Sequence, residues 1–211
     1  MIKKLISQNL DYIYYLIKSL DSKKKFLILF PNFISIIFKK VLIFDKLNKN
    51  VFFINIANVY DYDSILEVFG FEGYNVSSHQ FFKELIKKYE QDINKNKLVV
   101  DCGANIGCSA IYFNKILANA KIVCIEPDIK NFELLKKNLN KSQFELINSA
   151  VASSKINYSL TDDRNKRAIK IKELPNGDKE TITLNEITQK YGKDNFINSI
   201  IKIDIEGFEK N

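Results

Sequence analysis

The sequence predicts a doubly wound α/β fold whose sheet is mostly parallel, and three observations predict it. Short apolar runs of strand length alternate with helix-length segments through the second half of the chain. A glycine-containing turn joins the first of these strands to a helix. The hydrophobic fraction, 46% of 211 residues, is sufficient for a packed core. Strand–helix–strand repetition implies parallel strands joined by right-handed crossovers.

Each element follows from a local pattern of apolar residues. The main strands are predicted over residues 98–100, 121–125, 144–151 and 199–205, and short strands over 168–171 and 181–183. Helices are predicted over residues 107–117, 128–140 and 184–191. Asp128 is well placed to cap the second helix, and Gly192 to end the third.

The net charge of +7 belongs to the N-terminal part of the chain. Residues 1–50 contain ten lysines and three aspartates, whereas the remainder contains 22 basic and 22 acidic residues. Because residues 51–211 carry no net charge, the sequence does not support an extended phosphate-binding face. We therefore expect no nucleic-acid partner.

The cysteines and the single histidine do not form a metal-ligand pattern. Cys102, Cys108 and Cys124 contain no Cys-x-x-Cys pair, and a structural zinc site needs four grouped ligands, so we predict no metal. His79 lies in a polar stretch and is predicted to be solvated. An odd cysteine count without a signal peptide is typical of a reducing compartment, so we expect a cytoplasmic location.

Residues 1–58 are predicted to form an N-terminal helical extension, with further helix up to residue 97. An apolar segment over residues 26–38 is bracketed by lysines, but Pro31 interrupts it, so it is not a membrane-spanning helix. Two interpretations stay open. The helices either pack onto the domain with solvated lysines at their ends, or residues 1–50 form a basic, apolar surface against a membrane.

The turn after the first predicted strand has the spacing of a nucleotide-binding glycine loop, Asp-Cys-Gly-Ala-Asn-Ile-Gly over residues 101–107. Gly103 allows the sharp turn off the strand, and Gly107 allows the following helix to pack closely on the sheet. Asn105 stands where many such loops have glycine, and Asn tolerates left-handed backbone angles better than most residues.

Two carboxylates near this loop indicate which nucleotide it binds. Glu126 ends the second strand, in the position that accepts hydrogen bonds from ribose hydroxyls in several nucleotide-binding sheets. Asp101 ends the first strand, where it would repel a pyrophosphate but suit a cationic ligand. The pair therefore favours S-adenosylmethionine, which is cationic at sulfur and lacks phosphate, over a dinucleotide. Alternatively, Asp101 is a buried acid that holds the loop through backbone amides.

Three motifs together resemble the FkbM-type methyltransferase family: residues 101–107, residues 125–132 (Ile-Glu-Pro-Asp…Asn-Phe) and residues 202–209 (Lys-Ile-Asp-Ile-Glu-Gly-Phe-Glu). The resemblance extends over about residues 59–211. It implies a Rossmann-like class I methyltransferase domain and S-adenosyl-L-methionine as the methyl donor. The implied acceptor is a hydroxyl oxygen on a sugar, polysaccharide or secondary metabolite.

The resemblance also implies roles for individual residues. Contacts with the donor are implied for seven positions: Asp101, Gly103, Asn105, Gly107, Glu126, Ser149 and Ala150. Asn148 precedes the last two, near the expected adenine position. Asp204 and Glu206 face the acceptor and are the candidates for a general base, with Glu209 at the same mouth. Capping of a following helix is the alternative role for this acidic group.

Members of the family continue past the fourth strand, so we expect the sheet to be C-terminally incomplete here and the chain alone to be weakly stable and weakly active. Two other functions stay open. One is an NAD-dependent oxidoreductase on a similar sheet. The other is a degenerate module that binds a partner or a membrane without catalysis.

Overall fold

The computed structural model describes residues 10–17, 24–75, 80–91, 97–117, 119–139, 142–161, 170–192 and 199–205. The chain divides into two units, Met1–Val76 (unit 1) and Ser77–Asn211 (unit 2). The predicted boundary after residue 58 therefore falls inside unit 1, where Asn58 caps a helix. No helix among these residues is long and apolar enough to cross a membrane.

Unit 1 is built on a three-stranded antiparallel sheet, which corrects the predicted helical extension. Its elements are helix α1 (residues 10–17), β1 (Phe26–Ile28), α2 (Asn32–Phe38), β2 (Lys40–Asp45), β3 (Asn50–Asn55), α3 (Val59–Ile65) and a π-helical turn (Leu66–Gly70). The strand order is β1-β2-β3. Short apolar runs do not distinguish helix from strand by periodicity alone, and tertiary pairing decided the outcome.

The turn between β2 and β3 is stabilised by hydrogen bonds from backbone N–H groups to the Asp45 side chain. Asp45 is buried, and its Oδ1 accepts hydrogen bonds from the backbone N–H groups of Leu47 at 3.0 Å and Asn48 at 3.1 Å. Aspartate commonly forms such turns with backbone groups two or three residues on. The hairpin turn therefore has a local signal in the sequence, although the apolar pattern of residues 1–58 predicts helix.

Unit 2 contains the predicted parallel sheet. Its elements are α4 (Gln80–Gln91), β4 (Lys97–Cys102), α5 (Cys108–Ile116), β5 (Ala120–Ile125), α6 (Ile129–Asn138), β6 (Phe144–Ile147), β7 (Val151–Ala152), β8 (Asn157–Thr161), β9 (Lys170–Glu173), β10 (Lys179–Glu180), β11 (Ile182–Thr183), α7 (Leu184–Tyr191) and β12 (Ser199–Ile203). The main sheet has the order β12-β4-β5-β6, and every neighbouring pair is parallel. The predicted doubly wound α/β class is confirmed.

Helices cover both faces of this sheet. Val100 and Cys102 point to one face, where they pack with Ile187 of α7. Asp101 points to the opposite face because side chains alternate along a strand, and there it meets Ser109 of α5. The sheet therefore has two buried faces, which explains its nearly continuous apolar strands.

The boundaries of unit 2 differ from the predictions mainly after β5. Asp128 caps α6 as predicted, since its Oδ1 accepts from the Asn131 N–H at 2.8 Å. The strand predicted over 144–151 is divided into β6 and β7, and β7 pairs with β11 in a separate parallel ladder. The antiparallel sheet β10-β8-β9 was predicted only in part, because its strands are short and half-exposed.

Candidate functional site

The carboxyl ends of β12, β4 and β5 meet at one edge of the parallel sheet. Asp101 lies beside Cys124 of β5 and Lys202 of β12, and Cys102 lies beside Ile125 and Ile203. Glu126 follows β5 immediately, and Asp204 follows β12. The three predicted carboxylates therefore leave neighbouring strands at the same end, where ligands bind in open α/β sheets.

The loop between β4 and α5 has the backbone that the sequence predicted. Gly103, Asn105 and Gly107 have φ values of 80°, 50° and 95°. At Gly103 a Cβ atom would lie 2.0 Å from the carbonyl oxygen of Asp204, so the end of β12 also demands glycine. At Gly107 a Cβ atom would lie 2.9 Å from Cδ1 of Leu135. Gly107 therefore also has α6 as a close neighbour, which the sequence did not indicate.

Four N–H groups of this loop donate hydrogen bonds within the protein. Those of Gly103 and Ala104 both donate to the carbonyl of Ile125, at 3.0 Å each. The N–H of Gly107 donates to the carbonyl of Ala104 at 2.8 Å. The N–H of Asn105 donates to Oε2 of Glu126, also at 2.8 Å. In dinucleotide sites such amides face a pyrophosphate. Here the Glu126 carboxylate accepts a hydrogen bond from one of them, the amide of Asn105.

Glu126 is buried at the centre of this arrangement. Its Oε1 accepts from the N–H of Asp128 at 2.9 Å, and Asn131 adds a side-chain hydrogen bond. Burial raises the pKa of Glu126 to about 7, against the hydrogen bonds from Asp128 and Asn105, which lower it. A carboxylate offers about four lone-pair positions. The three contacts leave Glu126 about one position to accept a further hydrogen bond.

Asp101 is fully buried, as expected for the alternative of a buried acid, but its partners are two side chains and not the backbone amides of the loop. Its Oδ2 accepts from the hydroxyl of Ser109 at 2.5 Å, and its Oδ1 accepts from Nζ of Lys202 at 2.8 Å. The ion pair is almost completely desolvated, with 8% of the Lys202 side chain and 0% of the Asp101 side chain exposed. The negative charge of Asp101 is therefore neutralised by the protein itself.

Lys202 is a site residue that sequence reasoning missed. Its Nζ also donates to the carbonyl of Gly103 at 2.9 Å and lies 3.8 Å from Oδ2 of Asp204. The same ammonium group thus joins the end of β4, the glycine loop and the end of β12. A lysine inside an apolar strand was a usable signal, since a buried charge needs a partner.

The residues after β6 hold the Glu126 turn and the neighbouring loop in place. Nδ2 of Asn148 donates to the carbonyl of Glu126 at 2.8 Å. The hydroxyl of Ser149 donates to the carbonyl of Glu180 at 2.8 Å, and the N–H of Ala150 donates to the Tyr158 hydroxyl at 3.0 Å. The polar groups expected to meet adenine therefore have partners inside the protein.

Asp204 is the described acidic residue that faces solvent at this edge, with 60% of its side chain exposed. Glu206, Glu209 and His79, which the sequence also singled out, lie outside the described residues. Among the residues that are described, no group of three His, Cys, Asp or Glu side chains could hold a metal ion. The described part of the site therefore offers carboxylates, two lysines and backbone groups for its chemistry. The second lysine is Lys179, whose Nζ donates to the carbonyl of Pro127 at 2.9 Å.

Comparison with known proteins identifies the family. The model of the methyltransferase FkbM domain matches residues 101–211, which is just over half of the chain. The chain belongs to this family. The match begins at Asp101 and so includes the glycine loop, Glu126 and the β12 motif.

A solved methyltransferase FkbM from Methylobacillus flagellatus KT is similar to this FkbM-family chain, with 20% sequence identity and a TM-score of 0.33. The similarity covers 53% of this chain and 26% of that protein, so the chain spans about a quarter of its length. No curated protein matches the chain.

Proposed function

We propose that the chain binds S-adenosylmethionine at the carboxyl ends of β4 and β5 and directs methyl transfer to a hydroxyl oxygen of a sugar, polysaccharide or secondary metabolite. One observation carries the proposal: the Glu126 carboxylate lies on the Asn105 amide of the glycine loop. A ligand phosphate at that amide would meet like charge. A phosphate-free nucleoside instead brings ribose hydroxyls, which are donors for Glu126.

The residues present fit this donor. Glu126 retains acceptor capacity for a ribose hydroxyl and is held by two backbone amides. Asp101 and Lys202 fix the turn at Gly103, so the loop is positioned before any ligand arrives. Asp101 is therefore proposed to act through the loop and not by direct contact with the donor's charge. Such pre-positioning lowers the entropic cost of binding.

Alignment is the main contribution expected from the protein. S-adenosylmethionine, when bound, supplies a methyl group activated by the sulfonium. The fixed loop and Glu126 would set its position, and in-line geometry accounts for a large part of the barrier in such displacements. Asp204 is exposed at the same edge and is the described candidate to orient an acceptor hydroxyl and take its proton. Glu206, two residues further along the chain, is the second candidate.

Calorimetry separates this proposal from its two rivals. The 211-residue chain is titrated with S-adenosylhomocysteine, with NAD and with NADH in parallel. Binding of S-adenosylhomocysteine alone supports the proposal. Binding of the nicotinamide cofactor in its place would establish the oxidoreductase alternative, and absence of heat with all three would establish a degenerate module.

A second measurement tests the acceptor side of the site. Methyl transfer from labelled donor is assayed on a panel of hydroxyl compounds with Asp204→Asn and with Asp11→Asn. Asp11 is another exposed aspartate, in helix α1 of unit 1, and provides the matched control. We expect Asp204→Asn to lower kcat about 100-fold or more with unchanged S-adenosylhomocysteine affinity. A normal kcat in Asp204→Asn would transfer the proposed role to Glu206.

A further inference from the structure

One face of the unit 1 sheet is apolar and open to solvent. The register pairs Val41 with Ile54 on the buried face, and Leu42 with Phe53 on the opposite face. Phe53 is 59% exposed. Val51, which also lies on the open face, is 50% exposed. A half-buried strand normally carries polar residues on its solvent face, so this face is unusually hydrophobic.

The end of α2 extends this apolar area. α2 ends at Phe38 and β2 begins at Lys40, so the two elements are joined by a single residue. Ile37 and Phe38 are 73% and 69% exposed. Nζ of Lys40 lies 5.8 Å from the ring centroid of Phe53, which places the start of β2 beside the open face. We call Ile37, Phe38, Lys40, Val51 and Phe53 the amphiphilic surface.

The exposed charges on the elements that form the amphiphilic surface have one sign. Lys39 and Lys40 lie at its α2 end, and Lys46 and Lys49 lie in the β2–β3 turn. Asp45 is the acidic residue between positions 26 and 58 of the sequence, and it is buried in the hairpin turn. The exposed charges of the sheet are therefore lysines.

We propose that the amphiphilic surface docks unit 1 onto a membrane that contains anionic lipids. Exposed aromatic and aliphatic side chains can enter the boundary between headgroups and acyl chains, and lysines around them can reach lipid phosphates. Contact with a second copy through the same surface would bring four lysines against four lysines. That repulsion argues against self-association and for an anionic partner.

Vesicle flotation with the full 211-residue chain tests the proposal. Vesicles of phosphatidylcholine alone are compared with vesicles that also contain phosphatidylglycerol, at about 0.1 M and about 1 M salt. We expect flotation with the anionic vesicles and loss of most of it at high salt. Equal flotation with neutral vesicles, or none with either kind, would overturn the proposal.

Two double variants, each of which removes two positive charges, test where on the protein the membrane contact lies. Lys40→Gln with Lys49→Gln is expected to weaken binding to anionic vesicles about 25-fold, at about fivefold for each lysine. Lys130→Gln with Lys137→Gln removes the same charge from exposed positions of α6 in unit 2 and should leave binding nearly unchanged. Equal weakening by both pairs would show attraction by net charge alone and would contradict a docking surface.

A third variant tests the apolar part of the surface. Ile37→Ser with Phe38→Ser changes exposed side chains, so its thermal melt should match the parent while flotation falls. Size-exclusion chromatography of the parent and of this variant gives the oligomeric state. A parent dimer that becomes a monomer in the variant would assign the surface to a second copy and refute the membrane proposal. None of these measurements depends on donor binding or methyl transfer.

Discussion

The carboxyl ends of β4 and β5 hold two buried carboxylates, Asp101 and Glu126, whose partners differ in charge. Asp101 at the end of β4 faces the ammonium of Lys202 and the hydroxyl of Ser109. Glu126 after β5 is held by backbone amides and by Asn131, and burial raises its pKa to about 7. The charge of Asp101 is neutralised by Lys202, whereas the carboxylate of Glu126 can still accept a hydrogen bond.

The difference shows that similar positions in sequence do not imply similar roles. Asp101 lies near the end of β4, and Glu126 follows β5 immediately. Their partners distinguish them, and the cation among these partners comes from β12, because Lys202 lies beside Asp101 in the parallel register. We therefore expect substitutions at the Asp101 pair to affect stability first, and substitutions of Glu126 to affect ligand binding first.

The largest effect is expected from Lys202→Met. This change leaves the buried carboxylate of Asp101 without its cation and should lower the free energy of unfolding by about 3–5 kcal/mol. Lys121→Met breaks the exposed pair with Glu145, at 3.1 Å, and should cost less than about 1 kcal/mol. Urea denaturation followed by circular dichroism measures both values.

A double variant then sharpens the interpretation. Asp101→Asn combined with Lys202→Met removes both charges and should recover a substantial part of the loss. Equal destabilisation by Lys202→Met and Lys121→Met would contradict a desolvated ion pair at the end of β4.

A smaller effect is expected from Glu126→Gln, which should weaken the binding of S-adenosylhomocysteine. The amide cannot offer the same acceptor capacity to a ribose hydroxyl while it keeps its contacts with the loop. We expect the S-adenosylhomocysteine Kd to rise about 10- to 100-fold, in line with loss of one hydrogen bond to a charged group. Glu145→Gln, at an exposed glutamate of β6, provides the control. An unchanged Kd in Glu126→Gln would remove Glu126 from the proposed site.

The smallest effect is a pH dependence of binding. The pKa of Glu126 is raised from 4.5 to about 7, so the fraction of ionised carboxylate increases as pH rises through neutrality. The ionised form is the better acceptor for ribose hydroxyls. The affinity for S-adenosylhomocysteine should therefore increase up to about tenfold between about pH 6 and about pH 8. This dependence of the affinity on pH should be absent in Glu126→Gln. An equal pH dependence in that variant would show that another group titrates.

The sequence by itself determined the features that depend on neighbours along the chain. The glycine loop between β4 and α5, the left-handed Asn105 and the Asp128 cap were all predictable, because turns and caps involve residues a few positions apart. The alternation of β4, α5, β5 and α6 followed from periodicity, and it was sufficient for the fold class.

The tertiary structure decided which groups meet. Lys202 and Asp101 are 101 residues apart, and only the placement of β12 beside β4 makes them an ion pair. The strands of unit 1 were likewise settled by pairing, because their short apolar runs suit either helix or strand, whereas the Asp45 turn between β2 and β3 is local. Local sequence encodes backbone conformation, whereas the neutralisation of a buried charge depends on which distant strand becomes its neighbour.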